Sequence, residues 1–405
     1  MKRFLLTILI FISLLPVAEA AHIKGGFFTY QYLGPGSGTN LKYKITLTVY
    51  MICTANSQQV SSSINFSIFS ASTNQFIRDE SVSISNQYFL DKVFDEPCIT
   101  GDQRKCYYLI VVYDLPSVEL PSTPDGYTIA YQRCCRIAGI NNVVGSGNVG
   151  NTFSINIPGT AAGVNTEMNS SPVFLVNDTA VVCSSSFFSY SFKASDINLQ
   201  DSLSYEFCDA LSGADAGNPA PATATNPPYN SIPYQSPYSG AQPMGAGVTI
   251  NPKTGLISGI APGVTGQFVI GVCVSEWRQG VVIARTRKEL HVEVSNCNPL
   301  QAVLNPKPTT CDGFTVSFQN DAGGNPANTD YVWIFGEPSS GSTDTSLLAT
   351  PSHTYKTAGI YTVKLKVSLA GLCADSASFQ VKVFPGFFPG FVFTGSCFVS
   401  MRRCC

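Results

Sequence analysis

Three histidines in 405 residues leave acid–base chemistry few places to occur. One of them, His353, sits in PSHTYKTAGIYTVKLKV (351–367), beside Tyr355 and ahead of Gly359 and Tyr361. A general base needs a nucleophile or acid within hydrogen-bond reach and a cleft to work in. The neighbouring sequence offers Ser352, Thr354 and Lys356 alone. Scaffolding is therefore the expectation, with a corner tyrosine burying its ring and bonding its hydroxyl to nearby backbone. A second histidine opens HVE (291–293), which superficially matches the start of a deaminase zinc motif. No P-C-x-x-C follows, and alternation predicts that His291 and Glu293 lie on the exposed face of a strand. GSGNVG (145–150) fits G-x-G-x-x-G, but the strand-like NTFSINI comes next where a phosphate site needs a helix N-terminus. No G-x-S-x-G, H-E-x-x-H or P-loop is present, and the carboxylates are too scattered to nominate an acid/base pair. No catalytic residue and no cofactor are expected.

The elements that would position any site are strands. In KYKITLTVYM, Tyr43, Ile45, Leu47, Val49 and Met51 share one face. Ile64, Phe66 and Ile68 do the same, as do Phe153, Ile155 and Ile157, then Leu290, Val292 and Val294, then Phe314, Val316 and Phe318. Tyr361, Val363, Leu365 and Val367 close the series. A period of two with Gly/Pro/Asn turns and no helical apolar stripe predicts an all-β chain of antiparallel sandwiches. The Pro-rich stretch 213–247 cannot be a central strand, because each proline removes a ladder donor. Its Tyr229, Tyr234 and Tyr238 either wrap their own sandwich, which is the expectation, or offer stacking faces to a partner.

Charged residues make up 12% of the chain, about half the usual share, and the formal net charge is −2. No basic cluster points to nucleic acid or anionic lipid. MKR, an apolar stretch and AEA predict a signal peptide over residues 1–20, with cleavage after Ala20 and no later transmembrane segment. Export makes the fourteen cysteines disulfide candidates; none is spaced as in a zinc ribbon.

Composition divides the mature chain into blocks at 21–160, 165–297 and 300–385, with 386–405 left over. The third resembles a PKD domain, an immunoglobulin-like β-sandwich. The pieces that carry this are VWIFGEPSSG (332–341) with Trp333, PSHTY (351–355), Gly359 and Tyr361-Thr362-Val363. Ile334, Glu337 and Pro338 replace the Asp, Asp and Gly of the family's turn, which puts any role of those carboxylates in doubt. A Cys311–Cys373 bridge is expected to span the sandwich.

The first block resembles the leading domain of large surface proteins of gliding Gram-negative bacteria, through AHIKGGFFTYQYLG, PCITGDQRKC and GYTIAYQRCCRIAGINNV. There Cys98 and Cys106 can close a short loop, Cys53 can join one of the vicinal Cys134-Cys135 pair, and adjacent cysteines more often bridge to different partners; connectivity stays open. The second block resembles a cadherin-like or immunoglobulin-like module, with SDINLQDSLSY where relatives carry an Asp-rich turn. Asp196, Asn198 and Asp201 would supply oxygens to Ca²⁺, but Ile197, Leu199 and Gln200 thin the motif and a solvated turn is expected. Residues 386–405 resemble the start of a further repeat, cut short.

These resemblances imply tandem disulfide-stapled immunoglobulin-like sandwiches exported as type IX secretion cargo of the gliding-motility type. The implied role is adhesion, surface display or spacing at the cell surface or outside it, with protein or glycan ligands and no enzymatic activity. The competing reading is an accessory binding portion of an exported hydrolase.

Overall fold

In the computed structural model the alternating runs become strands with the expected faces inward. The structure describes residues 23–55, 59–91, 106–163, 165–175, 180–296, 300–305, 313–323, 325, 327, 329–369 and 373–384. The predicted signal peptide and the stretch 386–405 lie outside them. The fold is all-β, and the chain divides into two units, with the break after Ser295.

The first unit begins with β1 (Ile23–Pro35), β2 (Asn40–Met51), β3 (Ser63–Ser70), β4 (Phe76–Asp91), β5 (Cys106–Pro121), β6 (Tyr127–Arg133) and β7 (Asn151–Ile157). It continues with the short β8 (Val173–Phe174), β9 (Val181–Cys183), β10 (Phe187–Ser191) and β11 (Ala194–Ser195). Then come β12 (Ser202–Phe207), β13 (Val248–Ile250), β14 (Leu256–Ile260), β15 (Gly266–Arg278) and β16 (Val281–Ser295). One hydrogen-bonded path runs β12-β15-β16-β1-β2-β5-β4-β3-β6-β7, and β10-β14-β13 form a smaller sheet. The alternating residues of β2, β3 and β7 fill one core. Leu290, Val292 and Val294 of β16 meet Phe268, Ile270 and Val272 of β15 in a second.

The expected boundary near 160 is not a boundary between compact units. β1 pairs antiparallel with β16, at Gly26↔Glu289 and Phe27↔Lys288. The reason lies in two adjacent glycines. A Cβ on Gly25 would stand 2.3 Å from the Glu289 carbonyl oxygen, and one on Gly26 would stand 2.5 Å from that of Thr48. Both have positive φ, so only glycine lets β1 lie this close to its two neighbours. The stretch 213–247 then straps the two halves together. The Cys134 amide donates to the Pro219 carbonyl at 2.8 Å, Ala224 N to Ser67 Oγ at 2.9 Å and Thr225 N to Gln132 Oε1 at 3.0 Å. Its pairings are isolated bridges, as its prolines require.

Disulfides follow the strand pairing rather than sequence proximity. Cys53 bonds Cys106, because β2 and β5 are neighbours and bring the two Cα atoms to 6.1 Å. This corrects the Cys98–Cys106 loop; Cys98 itself lies outside the described residues. Cys134 and Cys135 bond each other, not separate partners. Cys208, just past β12, bonds Cys273 on β15, the strand beside it. Cys53–Cys106 and Cys208–Cys273 span 53 and 65 residues, and each contributes roughly 4 kcal/mol on the chain-entropy model.

The second unit contains β17 (Thr315–Ser317), β18 (Asp330–Ile334), β19 (Thr345–Ser346), β20 (Ser352–Thr354), β21 (Gly359–Leu369) and β22 (Cys373–Val383). A four-stranded sheet runs β19-β18-β21-β22, and β17 pairs β20. Trp333, Phe318, Phe335, Val363, Leu365 and Val367 make the core. The expected Cys311–Cys373 bridge falls on Cys311 and the Cys373 side chain, which lie outside the described residues.

Candidate functional site

His353 is buried, stacked on Phe335 with ring centroids 4.5 Å apart and meeting Tyr355 edge-on at 4.6 Å. The Tyr355 hydroxyl donates to the Phe335 carbonyl at 3.1 Å, and Tyr361 stacks on Tyr355 while its own hydroxyl donates to Thr357 O at 2.8 Å. What the sequence missed is Glu337. Its Oε2 lies 3.2 Å from His353 Nε2, and its Oε1 accepts from the Lys356 amide at 2.8 Å. The carboxylate whose role the motif left in doubt is thus the buried clasp between the Trp333 turn and the His353 strand. Gly336 precedes it with φ +81°, where a Cβ would meet the Thr362 carbonyl oxygen at 2.4 Å. Gly359 opens β21. Every polar contact of His353 in this group holds the turn.

His291 and Glu293 are not on an exposed face. His291 lies opposite Val269, and that side of the sheet is roofed by Ile140, Val143, Ala210 and Ile232. Alternation put Leu290, Val292 and Val294 inward correctly; the cover on the other side comes from segments remote in sequence. Both His291 ring nitrogens are buried without a hydrogen-bond partner among the described residues. Burial, then the charges of Lys24 and Arg136, push its pKa well below the ordinary histidine value. The folded state therefore keeps it neutral while the unfolded chain takes a proton below about pH 6.5. Its contribution is full above that pH and is lost as pH falls, at about 1.4 kcal/mol per pH unit. His291→Leu is expected to flatten the decline in unfolding free energy between pH 6.5 and 5, measured by urea melts. An unchanged slope would show that another group carries it.

The same strand buries Lys288 among the rings of Phe27, Phe174, Phe192 and Tyr50, at 4.6–6.0 Å from their centroids. It also buries Glu289, which Arg136 clamps through both guanidinium nitrogens; the Nη2–Oε2 contact is 3.0 Å.

The acidic turn differs most from expectation. Asp196 and Asp201 lie close together, and Glu276 of β15 joins them, with one oxygen from each of the three within 4.8 Å of the others. A register shift between Glu276 and Trp277 accompanies this carboxylate at the end of a long apolar run. Arg278 grips Asp201 bidentately, at 2.8 and 2.7 Å. Asn169 donates to Glu276 Oε1 at 2.6 Å. Asp196 Oδ1 accepts from the Asn198 amide at 2.8 Å. Asn198 is turned away from the role proposed for it, since its Oδ1 accepts from Ser170 N at 3.1 Å. Burial, opposed by the Asn169 bond, pushes the Glu276 carboxyl up to about 8, and burial raises Asp196 too. A proton shared by the Asp196 and Glu276 carboxyls, or a cation between them, is what this arrangement can hold. A charged residue inside the apolar run VIGVCVSEWR was the sequence signal that would have found Glu276.

GSGNVG forms a three-residue 3₁₀ turn at Ser146–Asn148 leading into β7, and a Cβ on Gly150 would strike the Gly213 carbonyl oxygen at 2.0 Å. It is a packing motif. The three strap tyrosines turn toward their own unit. Tyr229 packs with Phe69, Ala130 and Ala224; Tyr238 meets Phe268 edge-on at 5.5 Å. The Tyr234 hydroxyl accepts from Ala210 N at 3.0 Å, and burial pushes its pKa up to about 12.

No curated protein matches the chain. Among solved structures, the methylamine-reacted α2-macroglobulin of Salmonella aligns at 9% identity and a TM-score of 0.19. The alignment covers 90% of this chain and 38% of that one. A likeness so slight supports no statement about this chain. The family model described as PKD domain matches residues 296–383, the range of the second unit's core and its His353–Glu337 clasp, and this segment is a PKD domain.

Proposed function

We propose that the chain is a non-enzymatic exported protein for adhesion, surface display or spacing, working through disulfide-stapled β-sandwiches that hold protein or glycan ligands. The observation that carries this reading is the fate of the His353–Glu337 and Arg136–Glu289 pairs. His353, Glu337, Arg136 and Glu289 all bond within the scaffold. The PKD domain, the disulfides and the all-β fold fit an extracellular module of this kind. The route out is the signal peptide followed by the type IX pathway of gliding bacteria. The test is a binding and turnover screen with the purified full chain, on glycan arrays, on intact cells and on polysaccharide and protein substrates. Retention on cells or on one glycan class without release of product is the expected result. Saturable hydrolysis of any substrate would reject the reading, and secretion unchanged in a strain lacking the type IX translocon would reject the route.

A further inference from the structure

We propose that Asp196, Asp201 and Glu276 form a divalent-cation site, of the hard-oxygen type that takes Ca²⁺, with Asp196 Oδ2 and Glu276 Oε2 as its first two protein ligands. Glu276 is 0% exposed, yet its Oε2 has no hydrogen-bond partner among the described residues. Asp196 Oδ2 is likewise buried and unbonded. Two buried acceptor oxygens, on carboxyls that approach each other within 4.8 Å, need a proton or a cation between them. Arg278 makes no hydrogen bond to either oxygen; it bonds Asp201, Asn169 Oδ1 at 3.1 Å and the Asn165 carbonyl at 3.1 Å.

The donor set decides the ion. Among the described residues the cluster offers carboxylate oxygens, with no His or Cys, which suits Ca²⁺ or Mg²⁺ rather than zinc. A cleft of about 470 Å³ lined by Asp196, Asn198 and Asp201 adjoins the pair. Ca²⁺ is favoured over Mg²⁺ because it tolerates irregular geometry. Lys193 and Lys253 face the same cleft, and Tyr30 lies beyond Asn169, which donates to its hydroxyl at 3.0 Å. These, with Arg278, are the other titratable groups around the pair.

Isothermal titration of the full chain with CaCl₂ tests this without a variant. A single saturable site is expected. Glu276→Gln and Asp196→Asn should each abolish the heat, and Ca²⁺ should raise the melting temperature of the parent alone. No heat means that a proton alone occupies the pair, and overturns the proposal. So does binding that survives both substitutions.

Discussion

Arg136→Ala should lower the unfolding free energy of the first unit by about 3–5 kcal/mol, the cost of leaving a buried charge without its partner. The side chains of Arg136 and Glu289 are 0% and 3% exposed, and the guanidinium also donates to the Leu211 carbonyl at 3.1 Å. The Arg136 amide donates to the Val149 carbonyl at 2.9 Å, so one residue ties β16, the 210 region and the approach to β7. The double substitution Arg136→Met with Glu289→Leu removes both charges and should recover most of the loss. Urea unfolding of the parent, Arg136→Met, Glu289→Leu and the double variant gives the cycle. A single-variant loss under about 1 kcal/mol would mean that water reaches the pair.

The second large effect is expected in the PKD domain. Trp333 is wholly buried, its indole N–H donates to the Leu348 carbonyl at 3.0 Å, and its ring lies 5.8 Å from that of Phe318. Trp333→Ala should cost about 3–5 kcal/mol through lost burial and the cavity left behind. For a unit of this size that is a fall of more than about 10 °C in its melting transition. Trp333→Phe keeps most of the volume and should lose much less. Scanning calorimetry of the full chain reads both, and equal melting of the two variants would place the ring outside the domain's core.

Strand faces were legible because alternation is a local property. Tyr43 to Met51 and Tyr361 to Val367 pointed where the period of two put them. What a single strand does not encode is how many of its faces are covered. His291 and Glu293 alternate as exposed residues do, but the roof over them comes from residues 140–143, 210 and 232. The unity of the first unit escaped for the same reason, because β1 meets β16 across more than 250 positions. Two glycines in HIKGGFF were its local trace, and they read equally well as a turn. Within the acidic turn, Asp196 and Asp201 were visible as a motif. Glu276, the member that changes the chemistry, arrives from another strand. Glu337 was visible only as a departure from a family turn, although its partner His353 lies in the same short motif.

The antiparallel pairing of β1 with β16 fixes how the first unit meets a mechanical load. Ile23 begins one of these neighbouring strands and Ser295 ends the other, so a pull across them acts from one end of the ladder. Hydrogen bonds loaded that way break one pair at a time instead of sharing the force in shear. The first unit therefore yields as a soft element under tension, and Cys53–Cys106 and Cys208–Cys273 then cap how far the freed chain can pay out.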